Sequence, residues 1–188
     1  MSKIPKERIH KPTRDQTYIA FAEAVDAWSK VEWQMVFLFH SVNTPGDLNK
    51  SGSILISIIG VQAQLRAIEA AARVHLRNRP ELLKDVERTT EKIGKKATLR
   101  NRIIHGRWGE THNVRDGTYT HTELTRRFSS ENFLGPVFKT DKERTEAAGR
   151  FVFDKKELEK AAEMFIHLAR TIEELQIRIV NEFLPRLG

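Results

Sequence analysis

Apolar residues recur along most of this chain in steps of three and four, the spacing that gathers side chains on one face of a helix. Tyr18, Phe21, Val25, Trp28, Met35 and Phe39 form the first such stripe and predict a helix over 15–42. Thr13 with Gln16 resembles a capping pair ahead of it, and Asn43-Thr44-Pro45-Gly46-Asp47 reads as the turn that follows. Ile54, Ile58, Val61, Leu65, Ile68 and Ala72 predict a second, central helix over 53–76. Asn78 and Pro80 open a third over 80–105, because proline suits the first helical turn. Its face is Val86, Thr90, Ile93, Ala97, Arg100 and Ile104, and Gly106 stops it. Asp154 and Glu157 cap a fourth helix that runs to Phe183 before Pro185. Leu158, Ala162, Phe165, Leu168, Ile172, Leu175 and Ile179 make its face.

The period changes between Gly106 and Phe153. Asp116-Gly117 is a hairpin-turn dipeptide, and Thr118–Thr125 alternates as a strand does. Phe133–Lys139 and 151–153 are further short extended candidates, and Glu143–Gly149 is polar. Residues 107–153 hold too few apolar residues for a core of their own and read as an inserted hairpin and loop region. The expected fold is therefore mainly α: an antiparallel four-helix bundle with a small β-hairpin insertion between the third and fourth helices. Residues 15–188 form its single domain, and 1–14 a flexible basic arm.

Two charged residues interrupt the apolar faces, Glu32 on the first helix and Arg100 on the third. A lone buried charge is expensive, so each needs a partner or water. The economical arrangement is a shared polar pocket in which Glu32 bonds a basic residue, Arg100 or Arg66. The alternative lets Arg100 escape to solvent near its helix end.

Composition narrows the chemistry. The 188 residues contain no cysteine, which excludes disulfides, thiolate metal sites and cysteine nucleophiles. The seven histidines show no ligand spacing, so no metal site is expected, and no cofactor motif is present. The longest apolar run, Ile54–Val61, is interrupted by Ser57 and Gly60 and falls far short of the ~20 residues that cross a bilayer. With no apolar leader at the N-terminus, the expected location is the cytoplasm.

Lysine and arginine number 32 against 25 acids, a formal net charge of +7. Much of that excess lies in one stretch. From Lys92 to Arg107 the cations are Lys92, Lys95, Lys96, Arg100, Arg102 and Arg107, with no carboxylate among them. Such a stretch beside the imidazole of His105 suggests a site for phosphate, and RNA is the phosphate polymer that an imidazole can cut without metal. On a straight helix Arg100 and His105 point about 140° apart, whereas Asn101 and His105 share a face. Apposing the third helices of two copies is the most natural way to bring the arginines and histidines into one cleft.

The segment Arg100-Asn101-Arg102-Ile103-Ile104-His105 resembles the Arg-polar-x-x-x-His signature of HEPN-domain proteins, the nucleotide-binding domain family of higher eukaryotes and prokaryotes. The resemblance implies a bundle of four to five helices with the motif near the end of the third main one. It implies a homodimer whose two motifs form one active site, and a metal-independent endoribonuclease of toxin–antitoxin or anti-phage systems. A nucleotidyltransferase-type antitoxin is an expected partner. Arg100 and His105 would then be catalytic, with Asn101 in support. Two His105 side chains serve as base and acid, and Arg100 stabilises the phosphorane. Arg102, Arg107, Lys95 and Lys96 would hold the RNA backbone, with Trp108 able to stack on a base. Residues 107–153 depart from a minimal bundle of this family. The family includes non-catalytic members, so a binding module for RNA, nucleotide or protein is the alternative. A further rival is an adaptor in which Arg100 only pairs with Glu32.

Overall fold

The chain's periodicity resolves into helices that pair side by side, and the pairing sets where the last turn of the motif-bearing helix lies. A computed structural model describes residues 14–43, 47–112, 119–125 and 152–183, and the side chains of 15–43, 47–106 and 153–183. The described residues are mainly helical: α1 (Arg14–Val42), α2 (Leu48–Ser57), α3 (Val61–His75), α4 (Pro80–Ile104) and α5 (Lys155–Phe183).

The second helix expected from sequence is two helices. It breaks over Ile58–Gly60, where Ile58 is extended and Gly60 takes a φ of 91°. L-residues rarely adopt that conformation, and glycine meets no steric penalty in it. The break frees carbonyls at the end of α2. The Gln64 side-chain amide donates to two of them, Leu55 O at 3.3 Å and Ile58 O at 3.1 Å. The chain thus has five helices among its described residues, one more than the hydrophobic pattern suggested.

The other boundaries follow local chemistry. Pro80 occupies the first turn of α4, and His105 and Gly106 close that helix through bonds to Asn101 O and Ile103 O. Asp154 and Glu157 cap α5 reciprocally, each side chain accepting the other's backbone N–H. Thr13 of the Thr13/Gln16 capping pair, the basic arm and most of the turn after α1 lie outside the described residues.

Side-chain contacts fix how the helices run. His40 Nδ1 sits 3.2 Å from Ser51 Oγ, and Gly52 abuts Val36, so α2 folds back along α1. Glu69 accepts from Thr90 and Glu87 from Arg73, which makes α3 and α4 antiparallel. Arg79–Glu182, Asp85–Arg178 and Lys96–Met164 run α5 antiparallel to α4. The most extensive packing is between α1 and α5. One hydrophobic core joins all five helices. Trp28 is buried there with its ring edge-on to Phe165, centroids 5.1 Å apart. Each such side chain, fully buried, stabilises the fold by about 1.5–3 kcal/mol.

Beyond α4 the backbone forms strands β1 (Arg107–His112), β2 (Tyr119–Thr125) and β3 (Val152–Phe153), paired antiparallel in the order β1-β2-β3. Phe153 enters the helical core. Asp116-Gly117, Phe133–Lys139 and Glu143–Gly149 lie outside the described residues, so the connections of this region are not described. Among the described residues no helix is long and apolar enough to cross a membrane.

Candidate functional site at the end of α4

The last turns of α4 present two faces with different chemistry. Arg100 faces inward. Its Nη2 donates to Glu32 Oε1 at 3.2 Å, and its Nη1 donates to Asn101 Oδ1 at 3.0 Å. Glu32 Oε1 also accepts from Trp28 Nε1 at 2.7 Å. The guanidinium lies 5.9 Å from the centroid of the Trp28 ring, within reach of a cation–π contact. The two stripe outliers therefore meet. Neither is fully desolvated: the Arg100 side chain is 24% exposed and that of Glu32 42%. The pair avoids the cost of a lone buried charge. Arg100 Nε is buried without a hydrogen-bond partner.

Arg100 and Glu32 border a cavity of about 630 Å³. Its far wall is the α2–α3 break with the first turn of α3, and Arg66, Ala97, Thr98 and Asn101 complete it. Gly60, the N-cap of α3, has no side chain to bond the first N–H groups of the helix. Beside this cavity the surface turns apolar. Trp33 is 61% exposed, Ile56 66% and Ile59 95%. A hollow of about 320 Å³ opens there between Ser29, Glu32, Trp33, Val36 and Ile56.

His105 lies elsewhere. It is exposed at the C-cap of α4, with its backbone N–H on Asn101 O at 3.0 Å. It does not line the cavity that holds Arg100. A turn of about 100° per residue sets the two about 140° apart, so one chain does not join them. Arg102, three residues before His105 and also exposed, shares its face. The Asn101 side chain is engaged with Arg100.

Of the proposed RNA-contacting residues, Lys95 is exposed and bonds Glu91 at 2.6 Å. That ammonium holds the Glu91 carboxyl below its usual range. Lys96 leans toward α5, its Nζ 3.3 Å from Met164 Sδ. The side chains of Arg107 and Trp108 lie outside the described residues. No group of three or more metal-ligating side chains occurs among the described residues.

In chemical terms, the end of α4 offers an exposed imidazole with a neighbouring guanidinium. It can take or give a proton there and attract a phosphate, but a second group is needed to do both in one displacement. Trp28, which fixes Glu32, and Gly60, which shapes the cavity, were not legible as site residues. The four-residue spacing of Trp28 and Glu32 was the available signal. Comparison with family models, with curated proteins and with solved structures finds no match to this chain.

Proposed function

We propose that this protein is a metal-independent, HEPN-type endoribonuclease that acts as a homodimer in the cytoplasm, in the manner of a toxin or anti-phage effector. The observation that carries this reading is the exposed imidazole of His105 beside exposed Arg102, at the end of a helix whose last half is rich in cations. In the proposed reaction one His105 takes the proton of the substrate 2′-hydroxyl. The 2′-oxygen bonds phosphorus, the bond to the 5′-oxygen breaks, and the His105 of the second copy returns a proton to that oxygen. The products are a 2′,3′-cyclic phosphate and a free 5′-hydroxyl. Guanidinium groups stabilise the phosphorane.

The reading has the two copies pair through the end of α4, the one arrangement that would bring both exposed His105 side chains to a single phosphate. A nucleotidyltransferase-type antitoxin remains the proposed cellular partner.

The test is incubation of purified protein with varied RNAs in EDTA. Wild type should cut and leave cyclic phosphate ends, a substrate with a 2′-deoxy nucleotide at the cut site should stay intact, and His105→Ala should lose about 10²–10⁴-fold in rate. Intact RNA with wild type, or undiminished cutting by His105→Ala, overturns the nuclease reading. Light scattering should give a dimer, and a monomer at micromolar concentration with full activity overturns the two-copy site. The Arg100–Glu32 pair favours a second reading, a non-catalytic RNA-binding module of the same fold. That reading takes over if RNA binds but is never cut.

A further inference from the structure

The two sides of α5 differ in net charge. Toward α1 the helix contributes Glu159 and Glu163 to a groove shared with Glu23, Asp26 and Lys30, in which Lys30 pairs with Asp26, and Glu159 pairs with Lys155. Toward α4 the same stretch presents Lys160, one turn from Met164, which is the residue that Lys96 touches. Because α4 and α5 run antiparallel, Lys160 sits across the seam from the C-terminal half of α4. Lys92 and Lys96 border that seam on α4, and Lys95 and Arg102 follow along the exposed ridge beside it. Lys92, Lys96, Arg102 and Lys160 have no carboxylate partner among the described residues. Lys95 alone of the group is paired, to Glu91.

We infer that the α4–α5 seam, lined by Lys92, Lys96 and Lys160, together with Lys95 and Arg102 on the ridge beside it, is a track for the phosphate backbone of single-stranded RNA. Its ridge side runs through Arg102 toward the face of His105, and its seam recruits a helix outside the motif. The inference rests on the RNA reading above and adds a second wall. Lys92 to Arg102 spans ten residues, about 15 Å of helix, close to the rise of four nucleotides of one strand. Unpaired cations at that spacing gain affinity by releasing the counterions condensed on the strand, so binding must weaken steeply with salt. Among the described residues no large apolar side chain is exposed on α4 or on the first half of α5. That favours a polyanion over a membrane surface, into which such a helix pair would have to insert.

The test is fluorescence anisotropy with a short labelled 2′-O-methyl RNA, which cannot be cleaved, across a salt series. Wild type should show log affinity falling against log salt with a slope of about −3, as expected for four phosphates of a single strand. Lys92→Glu with Lys160→Glu should bind about tenfold or more weakly, and its slope should be shallower by about 1. Lys50→Glu with Arg77→Glu makes the same charge change away from the seam and should stay within about twofold of wild type. Circular dichroism confirms that each variant is folded. If the seam variant binds and responds to salt as the control does, the track is wrong while the RNA reading stands. If wild type does not bind the RNA even at low salt, the RNA reading fails and the track with it. Binding to phosphatidylserine vesicles, lost in the seam variant, without binding to RNA would overturn the choice of partner.

Discussion

The two halves of α4 use the same kinds of residue for different ends. In and just before the first half, most charges that pair meet partners on neighbouring helices, while Lys84 has no carboxylate partner among the described residues. Arg79 bonds Glu182 at 2.6 Å, Asp85 bonds Arg178 at 2.9 Å, and Glu87 bonds Arg73 at 3.4 Å. In the second half, Lys92, Lys96 and Arg102 have no carboxylate partner among the described residues, and Arg100 is held by Glu32. A charge count over the whole helix hides this. Cations answered across a helix seam orient the scaffold, whereas unanswered cations on one seam are available to a ligand.

The sharpest way to break this division is to remove the anchor of the second half. Trp28→Ala deletes a buried indole, its contact with Phe165 and its bond to Glu32. Urea denaturation should show a loss of about 3–5 kcal/mol. A loss below about 1 kcal/mol would mean that the indole does not anchor the Glu32–Arg100 pair. Next in size is Gly60→Ala. A Cβ there meets no neighbour within 4 Å, so its cost comes from the positive φ alone and should be about 1–3 kcal/mol in the same measurement. An unchanged midpoint would show that the α2–α3 joint relaxes freely.

The smallest stability effects separate the halves most cleanly. A double-mutant cycle on Asp85→Ala and Arg178→Ala should return a coupling of about 0.2–1 kcal/mol, since both side chains are partly exposed. Neither change should alter RNA affinity. Lys92→Ala should do the reverse, staying within about 0.5 kcal/mol of wild type in stability while weakening RNA binding. If Arg178→Ala weakens RNA binding as much as Lys92→Ala does, the division between the halves fails.

How much of this was legible depended on which signal carried each element. All seven residues expected on the buried face of α5 are buried, because large apolar residues and a reciprocal cap marked it. On α1 Trp28, Met35 and Phe39 of the expected stripe are buried, but in the first half of the helix the buried face is turned relative to it. Ala20, Ala24 and Ala27 are buried there, while Tyr18, Phe21 and Val25 are only half-buried. Large side chains drew the stripe, but α1 packs closely against α5 through small ones. The break before α3 was missed because Ile58 and Val61 continue the apolar period on both sides of Gly60. The Glu32–Arg100 pair was legible because each charge stood alone on an apolar face. Lys160 was not, since nothing in the chain links it to Lys96 until two helices sixty-four residues apart pack together. The separation of Arg100 from His105 followed directly from helical geometry.

The groove on one side of α5, where carboxylates outnumber lysines, and the basic seam on the other set a charge difference transverse to the helix. If the seam binds RNA as proposed, a strand approaching at random would feel a torque before a contact, and the protein would turn its seam toward it. Encounter would then be faster than shape alone allows, and that advantage fades as dissolved ions shorten the reach of the field to about 10 Å at 0.1 M salt. Glu163, on the opposite side of α5 from the proposed track, would thus contribute to speed by repelling the strand from the wrong side.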